Sequence, residues 1–251
     1  MLKNKNAGFS LVELAISITV IGLILALVAK GGEMIENAKI ASTVLQIESY
    51  QAGVDGFRTA YKAWPGDYDR AEMYIEDCTA ANGCEDGDGN GAIGTAGSFS
   101  LSVGSPLTSR DETVEAWRHL FLSGYGTGLP SGVDAEFGSA LPSASAGGGF
   151  EIYYNSSLNM HATTYNGGHF LRYAGVISSS NLTMGDGVYG VVARGIDRKM
   201  DDGSPTSGKV YASGSGARCV EQTVVGGVTT FSGYWASDLE NENCWMHIRL
   251  E

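Results

Sequence analysis

An acidic, glycine-rich segment at residues 85–93 carries side chains that could bind a hard cation. Asp86, Asp88 and Asn90 stand at alternate positions, with glycines between them. This pattern is typical of the start of an EF-hand-type loop, in which oxygen atoms at positions 1, 3 and 5 surround Ca²⁺ while glycine lets the chain turn tightly. The segment therefore predicts a structural calcium site, and a solvated acidic turn without an ion is the alternative interpretation.

The predicted calcium loop lacks one ligand. Position 12 of an EF-hand loop is a bidentate Glu, but the corresponding residue here is Gly97. A carboxylate from elsewhere in the chain must then complete the coordination, and Glu112 or Asp111 is the expected source. Calcium would be structural, and no other cofactor is expected.

Two other patterns could indicate chemistry, but both are incomplete. Residues 203–209 contain G-x4-G-K, yet Val210 stands where a phosphate-binding loop needs Ser or Thr to bind Mg²⁺, so a turn before a strand explains the segment better. His161 and His169 could share a metal, but no third ligand is evident, and histidines in exposed loops are common. The sequence has no G-x-S-x-G elbow and no H-E-x-x-H pair, so we expect no enzyme.

One further ionisable side chain lies in a segment that is long and apolar enough to cross a membrane. Residues 9–29 are 21 residues long, and Glu13 is their one ionisable side chain. About 20 apolar residues span a bilayer as a helix. A carboxylate in hydrocarbon is costly and by default indicates function, although a Glu near the end of a span can also reach the interface. Because Lys3 and Lys5 precede the span, we expect a cytoplasmic amino terminus and a single crossing.

Residues 8–14 read GFSLVEL, which resembles the class III signal of type IV pilins and type II secretion pseudopilins. The resemblance implies that a prepilin peptidase removes the leader 1–8 by cleavage after Gly8 and methylates the new amino group of Phe9. It also implies that Glu13 neutralises the Phe9 amine of a neighbouring subunit during assembly. The electrostatics agree, because opposite charges attract strongly in a low dielectric and each charge alone is costly to bury.

The resemblance also implies a function, a location and partners. The protein would be a structural subunit of a type IV pilus-like filament, polymerised through its hydrophobic amino-terminal helix. It would first lie in the inner membrane with its head in the periplasm, and then in a periplasmic or cell-surface filament. Its partners would be further copies, or other subunits of a mixed filament, the membrane, the prepilin peptidase and the inner-membrane assembly platform.

Two alternative functions stay open at this point. A type II secretion pseudopilin or a minor pilin would carry the same amino-terminal motif. A membrane-tethered surface binding module is the alternative of another class, because glycine- and serine-rich loops could hold Ca²⁺ or a surface ligand. Nucleic acid is excluded as the main partner, since the chain has 28 Asp and Glu against 16 Lys and Arg and phosphate binding needs clustered basic residues.

Four cysteines in an oxidising location are expected to form disulfides. Three pairings are possible, and Cys78–Cys84 with Cys219–Cys244 is the favoured one, because the members of each pair are close in sequence. Many pilins have a carboxyl-terminal disulfide loop like the second of these. Zinc binding is the rival interpretation, but the sequence has no C-x2-C pair.

The elements that must position these residues are a long helix and a β-rich head. An apolar stripe at helical spacing predicts that the helix continues from residue 9 to residue 64, with 9–29 in the membrane or the filament core. Its members are Val44, Ile47, Val54, Phe57, Tyr61 and Trp64. Pro65 follows directly and is expected to end the helix.

Residues 65–251 have the composition of a loop-rich head, since 30 of the 36 glycines lie after residue 64. Strand-like runs between turn signals predict an antiparallel sheet that lies on the long helix. The predicted strands are 150–154, 170–177, 189–193, 209–212, 219–225 and 246–250, and one further helix is predicted at 111–122. The expected fold class is therefore α+β, and the resemblance to pilins implies the same arrangement.

Overall fold

The structure is a computed structural model that describes residues 10–94, 112–127, 137–160, 163–175, 187–214, 219–225, 228–234 and 242–250. The chain forms two compact units, Met1–Lys39 and Ile40–Glu251. The helices are α1 (Leu11–Tyr61), α2 (Ala71–Tyr74), α3 (Glu112–Leu122) and α4 (Gly190–Met200), with a 3-10 turn at Ala80–Asn82. The strands are β1 (Gly149–Met160), β2 (Thr163–Ala174), β3 (Val188–Tyr189), β4 (Val210–Gly214), β5 (Val220–Val225), β6 (Val228–Tyr234) and β7 (Glu242–Arg249).

Within the first unit, helix α1 presents an apolar surface all round. Its large apolar side chains from Leu11 to Val28 are between 48% and 85% exposed. Among the described residues, α1 is the one helix that is long and apolar enough to cross a membrane. A helix that is hydrophobic on every side is stable only where lipid or other chains cover it.

Within the second unit, helix α1 buries the predicted apolar stripe against the sheet. Val44, Ile47, Val54 and Phe57 are all buried, and the Tyr50 ring lies edge-on to the ring of Phe150 on β1, with 5.3 Å between ring centroids. This confirms that one face of the helix is packed in the core of the head.

Helix α1 ends at Tyr61, three residues before the predicted end at Trp64. Lys62 has a φ of 59°, and a residue in this left-handed region ends a helix. Trp64 therefore lies in the turn that follows, where its ring stacks on the ring of His169 with 3.6 Å between centroids. The apolar spacing had included Trp64 because the residue is packed, but it is packed from outside the helix.

The main sheet is antiparallel throughout and has five strands. Strand β2 lies between β1 and β7, and β7 also pairs with β3 and β4. Strands β5 and β6 form a separate two-stranded sheet. This arrangement of a long helix and an antiparallel sheet is the predicted α+β architecture.

One predicted strand is wrong, and helices α2 and α4, the 3-10 turn and strand β6 had not been expected. Residues 189–193 were predicted as a strand, but the strand stops at Tyr189 and helix α4 follows it. Short apolar runs fit either structure, and here Val192, Ala193 and Ile196 all face the core at helical spacing. Strand β6 was not predicted, because its threonine, serine and glycine residues are typical of a loop.

The structure contains both predicted disulfides. Cys78 and Cys84 close a short loop around the 3-10 turn, with their Cα atoms 4.9 Å apart. Cys219 and Cys244 join the residue before β5 to β7, with their Cα atoms 5.0 Å apart. The second disulfide therefore attaches the two-stranded sheet to the main sheet.

Candidate functional site

The start of helix α1 positions Glu13 through a reciprocal capping arrangement. The Ser10 hydroxyl accepts a hydrogen bond from the Val12 N–H at 3.3 Å, and Glu13 Oε2 accepts one from the Ser10 N–H at 3.1 Å. This is a capping box, which satisfies amides that have no partner inside the helix. The S-x-x-E signature before an apolar run could have revealed it in the sequence. Within one subunit, the Glu13 carboxylate thus has a backbone donor on its own chain.

The residues predicted for processing, Gly8 and Phe9, lie outside the described residues. Cleavage after Gly8 and methylation of Phe9 stay predictions. His161 and Asp111 also lie outside the described part of the chain.

The acidic segment brings together two of the four residues predicted to bind calcium, along with one that sequence reasoning missed. Carboxylate oxygens of Asp67, Asp88 and Glu112 all lie within 4.8 Å of one another. Asp67 and Glu112 are buried and Asp88 is exposed. Asp67 is 21 residues from Asp88 in sequence, so no local spacing could have indicated it.

The other two predicted ligands have different partners. Asp86 Oδ1 accepts a hydrogen bond from the Glu72 N–H at 2.8 Å, outside the three-carboxylate cluster. The Asn90 side chain donates to Asp88 Oδ2 at 2.7 Å and accepts from the Ala92 N–H at 2.8 Å. Asn90 therefore supports Asp88 and shapes the turn.

The glutamates of helix α3 hold the backbone of the acidic segment. Glu112 Oε1 accepts from the Asp88 N–H at 3.0 Å, and Glu112 Oε2 accepts from the Gly94 N–H at 2.8 Å. One turn further along α3, Glu115 Oε2 accepts from the Glu85 N–H at 3.1 Å. Each glutamate thus binds amides that would otherwise lack a regular secondary-structure partner.

Asp67 accepts from the remaining amide in this series, the N–H of Gly91. Its two carboxylate oxygens accept from the Gly91 N–H at 3.2 and 3.0 Å. Four amides at intervals of three residues, from Glu85 to Gly94, therefore point at three buried carboxylates. Two of these three carboxylates, Asp67 and Glu112, also belong to the candidate cation site, so they both fix the path of the loop and face Asp88.

Burial makes two of these carboxyl groups hard to ionise. The pKa is raised to about 6 for Asp67 and to about 7 for Glu112. Burial is the main cause, the nearby charge of Asp88 acts in the same direction, and hydrogen bonds from the backbone act against it. Three like charges this close are unfavourable without a counter-charge. As pH rises through this range Asp67 and Glu112 lose their protons, and a bound cation would then offset the repulsion within the cluster.

His119 joins the turn after α1 to the acidic segment. Its Nδ1 accepts from the Gly66 N–H at 2.9 Å, and its Nε2 lies 2.9 Å from the Glu85 carbonyl oxygen. These partners assign the proton to Nε2, which donates to the carbonyl. The ring is fully buried, and burial lowers the pKa of His119 to about 4. The imidazole is therefore a neutral structural link.

The sequence context of His169 indicates an exposed loop, but the structure places this residue in a strand. It lies in β2, is 5% exposed, and its Nε2 accepts from the Ile93 N–H at 3.4 Å. Burial lowers the pKa of His169 to about 3, with a smaller contribution from the charge of Arg58. The exposed-loop interpretation is wrong for this histidine, which packs in the head.

The G-x4-G-K segment is the predicted turn before a strand. Gly203 and Gly208 both have positive φ angles, of 76° and 77°. Asp201 accepts hydrogen bonds from the backbone N–H groups of Lys209 and Val210, so a carboxylate occupies the place where a phosphate would bind.

A polar row across the outer face of the sheet is a feature that sequence reasoning missed. Tyr153 OH lies 2.7 Å from His247 Nδ1, and Ser213 Oγ lies 3.3 Å from His247 Nε2. Beside them, Arg172 forms an ion pair with the fully buried Glu151 at 2.6 Å. His247 and Tyr153 are only 8% and 7% exposed. Arg172 on β2 lies directly opposite both Glu151 on β1 and His247 on β7, and Tyr153 on β1 reaches His247 across β2. We interpret the row as cross-strand packing.

Comparison with known proteins gives one finding, at the amino end. The family model described as the prokaryotic N-terminal methylation motif matches residues 3–29. No curated protein and no solved structure matches the chain. The motif indicates a pilin-like or pseudopilin subunit, with a structural rather than an enzymatic role. The amino terminus of this chain is therefore the prepilin-type signal shared by type IV pilins and pseudopilins.

Proposed function

We propose that this protein is a structural subunit of a type IV pilus-like filament. The observation that carries the proposal is the apolar surface of α1, which is exposed all round and lies largely within the prepilin-type signal. In the membrane, lipid covers this surface; in a filament, helices of other copies cover it. The antiparallel head would face outward.

Processing would convert the amino end into an assembly element. Cleavage after Gly8 removes Lys3 and Lys5, so the formal net charge changes from −12 to −14, and it creates an amine at Phe9. During assembly, the Glu13 carboxylate would exchange its Ser10 donor for the amine of a neighbouring subunit. The exchange is favourable because a carboxylate buried among apolar helices needs a charged or hydrogen-bonded partner.

The route to the filament follows from this processing. Before assembly, the chain would cross the inner membrane once, with its amino terminus in the cytoplasm and its head in the periplasm. The prepilin peptidase and the inner-membrane assembly platform would act on it there. The subunits would then form a filament in the periplasm or on the cell surface, either alone or mixed with other pilins.

A Glu13→Ala variant tests the proposal. Filament yield in the sheared surface fraction should collapse, whereas the amount of processed protein in the membrane should not change. Glu48→Ala is the matched control, because Glu48 is an exposed glutamate of α1 in the head. Normal filament yield from Glu13→Ala would contradict the proposal and favour a membrane-tethered binding module. The intact mass of the mature chain tests cleavage and methylation directly.

A type II secretion pseudopilin or a minor pilin would share these properties. Neighbouring genes separate the possibilities, because an outer-membrane channel and an assembly ATPase of the secretion type would accompany a pseudopilin. We favour a subunit of the filament shaft, since Glu13 is the group that ordinary incorporation requires.

We further propose that Asp67, Asp88 and Glu112 bind Ca²⁺. The support is the separation of their oxygens, within 4.8 Å of one another, and the alternating acidic segment that supplies Asp88. A divalent cation would compensate three carboxylates that repel one another when they are ionised together. Melting temperatures with and without a chelator test this calcium site.

A further inference from the structure

Helix α4 has a positively charged face that is directed away from the core. Val192, Ala193 and Ile196 are buried, whereas Arg198 and Lys199 are exposed and Arg194 is half-buried. Arg194 and Arg198 are four residues apart and so share one side of the helix. The ion pairs Lys30–Glu33, Asp55–Arg58 and Glu151–Arg172 lie elsewhere in the described part of the chain, and none of them involves this face.

The aspartates that follow α4 do not pair with the positive face. Asp201 accepts from the backbone N–H groups of Lys209 and Val210. Asp202 accepts from the Ser204 N–H at 2.8 Å and from the Ser207 hydroxyl at 2.6 Å. Both carboxylates are thus directed to the next loop.

A second surface of the head has the complementary charge and the composition of a docking site. In helix α2, Met73 and Tyr74 are 76% and 57% exposed. Arg70 is the one basic residue in the segment 69–77. Four exposed carboxylates flank Met73 and Tyr74: Asp69, Glu72, Glu76 and Asp77. Met and Tyr are enriched in the centre of protein interfaces, and the carboxylates around them would form a charged rim.

These two surfaces lie at opposite ends of the head. Helix α4 packs beside Ile40, so closely that a Cβ atom on Gly195 would lie 2.9 Å from the Ile40 side chain. The segment before α2 packs beside Tyr61, whose ring centroid is 5.3 Å from that of Tyr68. The helix between Ile40 and Tyr61 is about 30 Å long at about 1.5 Å per residue. The positive face and the acidic surface therefore cannot meet within one chain.

We propose that the α4 face of one subunit binds the α2 surface of a second copy of this chain. Arg194, Arg198 and Lys199 would meet the carboxylates around Met73 and Tyr74. Because the two surfaces differ and lie at opposite ends, the contact is head-to-tail. A contact of this type does not close on itself as a two-fold dimer does, and it can propagate into an open filament. The inference rests on the proposed filament function and adds a second contact, between the heads.

Charge reversal on each surface tests the contact. Arg198→Glu with Lys199→Glu, and separately Glu72→Lys with Glu76→Lys, should each lower filament yield at least about tenfold, because like charges then face each other. Combining all four changes should restore the yield, which damage to folding would not do. Glu48→Lys is the control for a charge change of the same kind on another exposed part of the head.

Cross-linking between single introduced cysteines gives a second test, which does not depend on whether the charge-reversed variants fold. Cells would express one copy with Arg198→Cys and another with Glu76→Cys, and a cross-linked dimer should form only when both are present. Absence of this dimer in filaments that do form, or no rescue by the fourfold variant, would overturn the inference. If Glu13→Ala abolishes filaments while both charge reversals leave the filament yield unchanged, the proposed function stands, and only the contact between the α4 face and the α2 surface is refuted.

Discussion

Acidification should weaken the link that His119 makes between the turn after α1 and the acidic segment. Its neutral ring accepts from the Gly66 N–H and donates to the Glu85 carbonyl. Protonation places a second N–H against the Gly66 N–H and a charge in a fully buried site. The pKa of His119, lowered from 6.5 to about 4 by burial, gives the size of this penalty.

The lowered pKa fixes the sign and the range of the effect. A group with a depressed folded-state pKa contributes stability that is fully present above pH 6.5 and lost as pH falls toward 4. The total is on the order of 3 kcal/mol, and roughly 2 kcal/mol of it is lost by pH 5. Asp67 and Glu112 change in the opposite direction, because their raised pKa values favour the folded state as they protonate.

A His119→Gln variant isolates the histidine from these carboxyl groups. The mature protein in detergent would be unfolded with urea at several pH values, with tryptophan fluorescence as the signal. The variant should be less stable at pH 7, by about 1–3 kcal/mol for a buried group left without its partner. The difference from the unmodified protein should shrink by about 2 kcal/mol between pH 7 and pH 5. Parallel stability profiles over this range would refute the assignment of a buried, neutral imidazole.

Three further predictions concern the head. At pH 8, Ca²⁺ at about 100 times its Kd should stabilise the protein by about 2.7 kcal/mol, or roughly 5–10 °C in Tm. Glu112→Gln should abolish this shift in Tm, and a Tm that a chelator leaves unchanged would contradict the calcium site. Gly66→Ala should lower the free energy of unfolding in urea by about 3 kcal/mol or more, because Gly66 has a φ of 88° and a Cβ atom there would lie 2.3 Å from a backbone oxygen. Gly91 has the same φ but open space around it, so Gly91→Ala should lower this free energy by only about 1–2 kcal/mol. Replacing both cysteines of the Cys219–Cys244 disulfide with serines should lower the free energy of unfolding by about 3.5 kcal/mol, and the same change at Cys78–Cys84 by about 2 kcal/mol, because the separations are 25 and 6 residues. Equal losses would show that the entropy of loop closure is not the cause.

Patterns with a regular period predicted the elements that depend on one buried face. The spacing of Val44, Ile47 and Phe57 placed the core side of α1 correctly, and the cysteine pairs were close enough in sequence to suggest their partners. The turn at 203–209 was also predictable, because its proline and glycines specify local geometry. These features need little information from distant parts of the chain.

The features that were missed depend on contacts between distant residues. Asp67 joins Asp88 and Glu112 only because the turn after α1 packs against α3, as the Gly66–His119 hydrogen bond shows. His169 has a loop-like sequence context, yet β2 begins well before it and Trp64 covers its ring. Polar strands of this kind become buried through tertiary packing, which overrides local propensity.

The hydrogen bonds that hold the acidic segment also restrict how its length can change. Its anchored amides recur every third residue from Glu85 to Gly94, and the carboxylates that accept from them belong to a rigid helix and a fixed turn. Inserting or deleting one residue would move every later amide away from its acceptor. Substitution of the exposed side chains between the anchors leaves those bonds in place. In related chains, this segment should therefore vary in composition while keeping a constant number of residues.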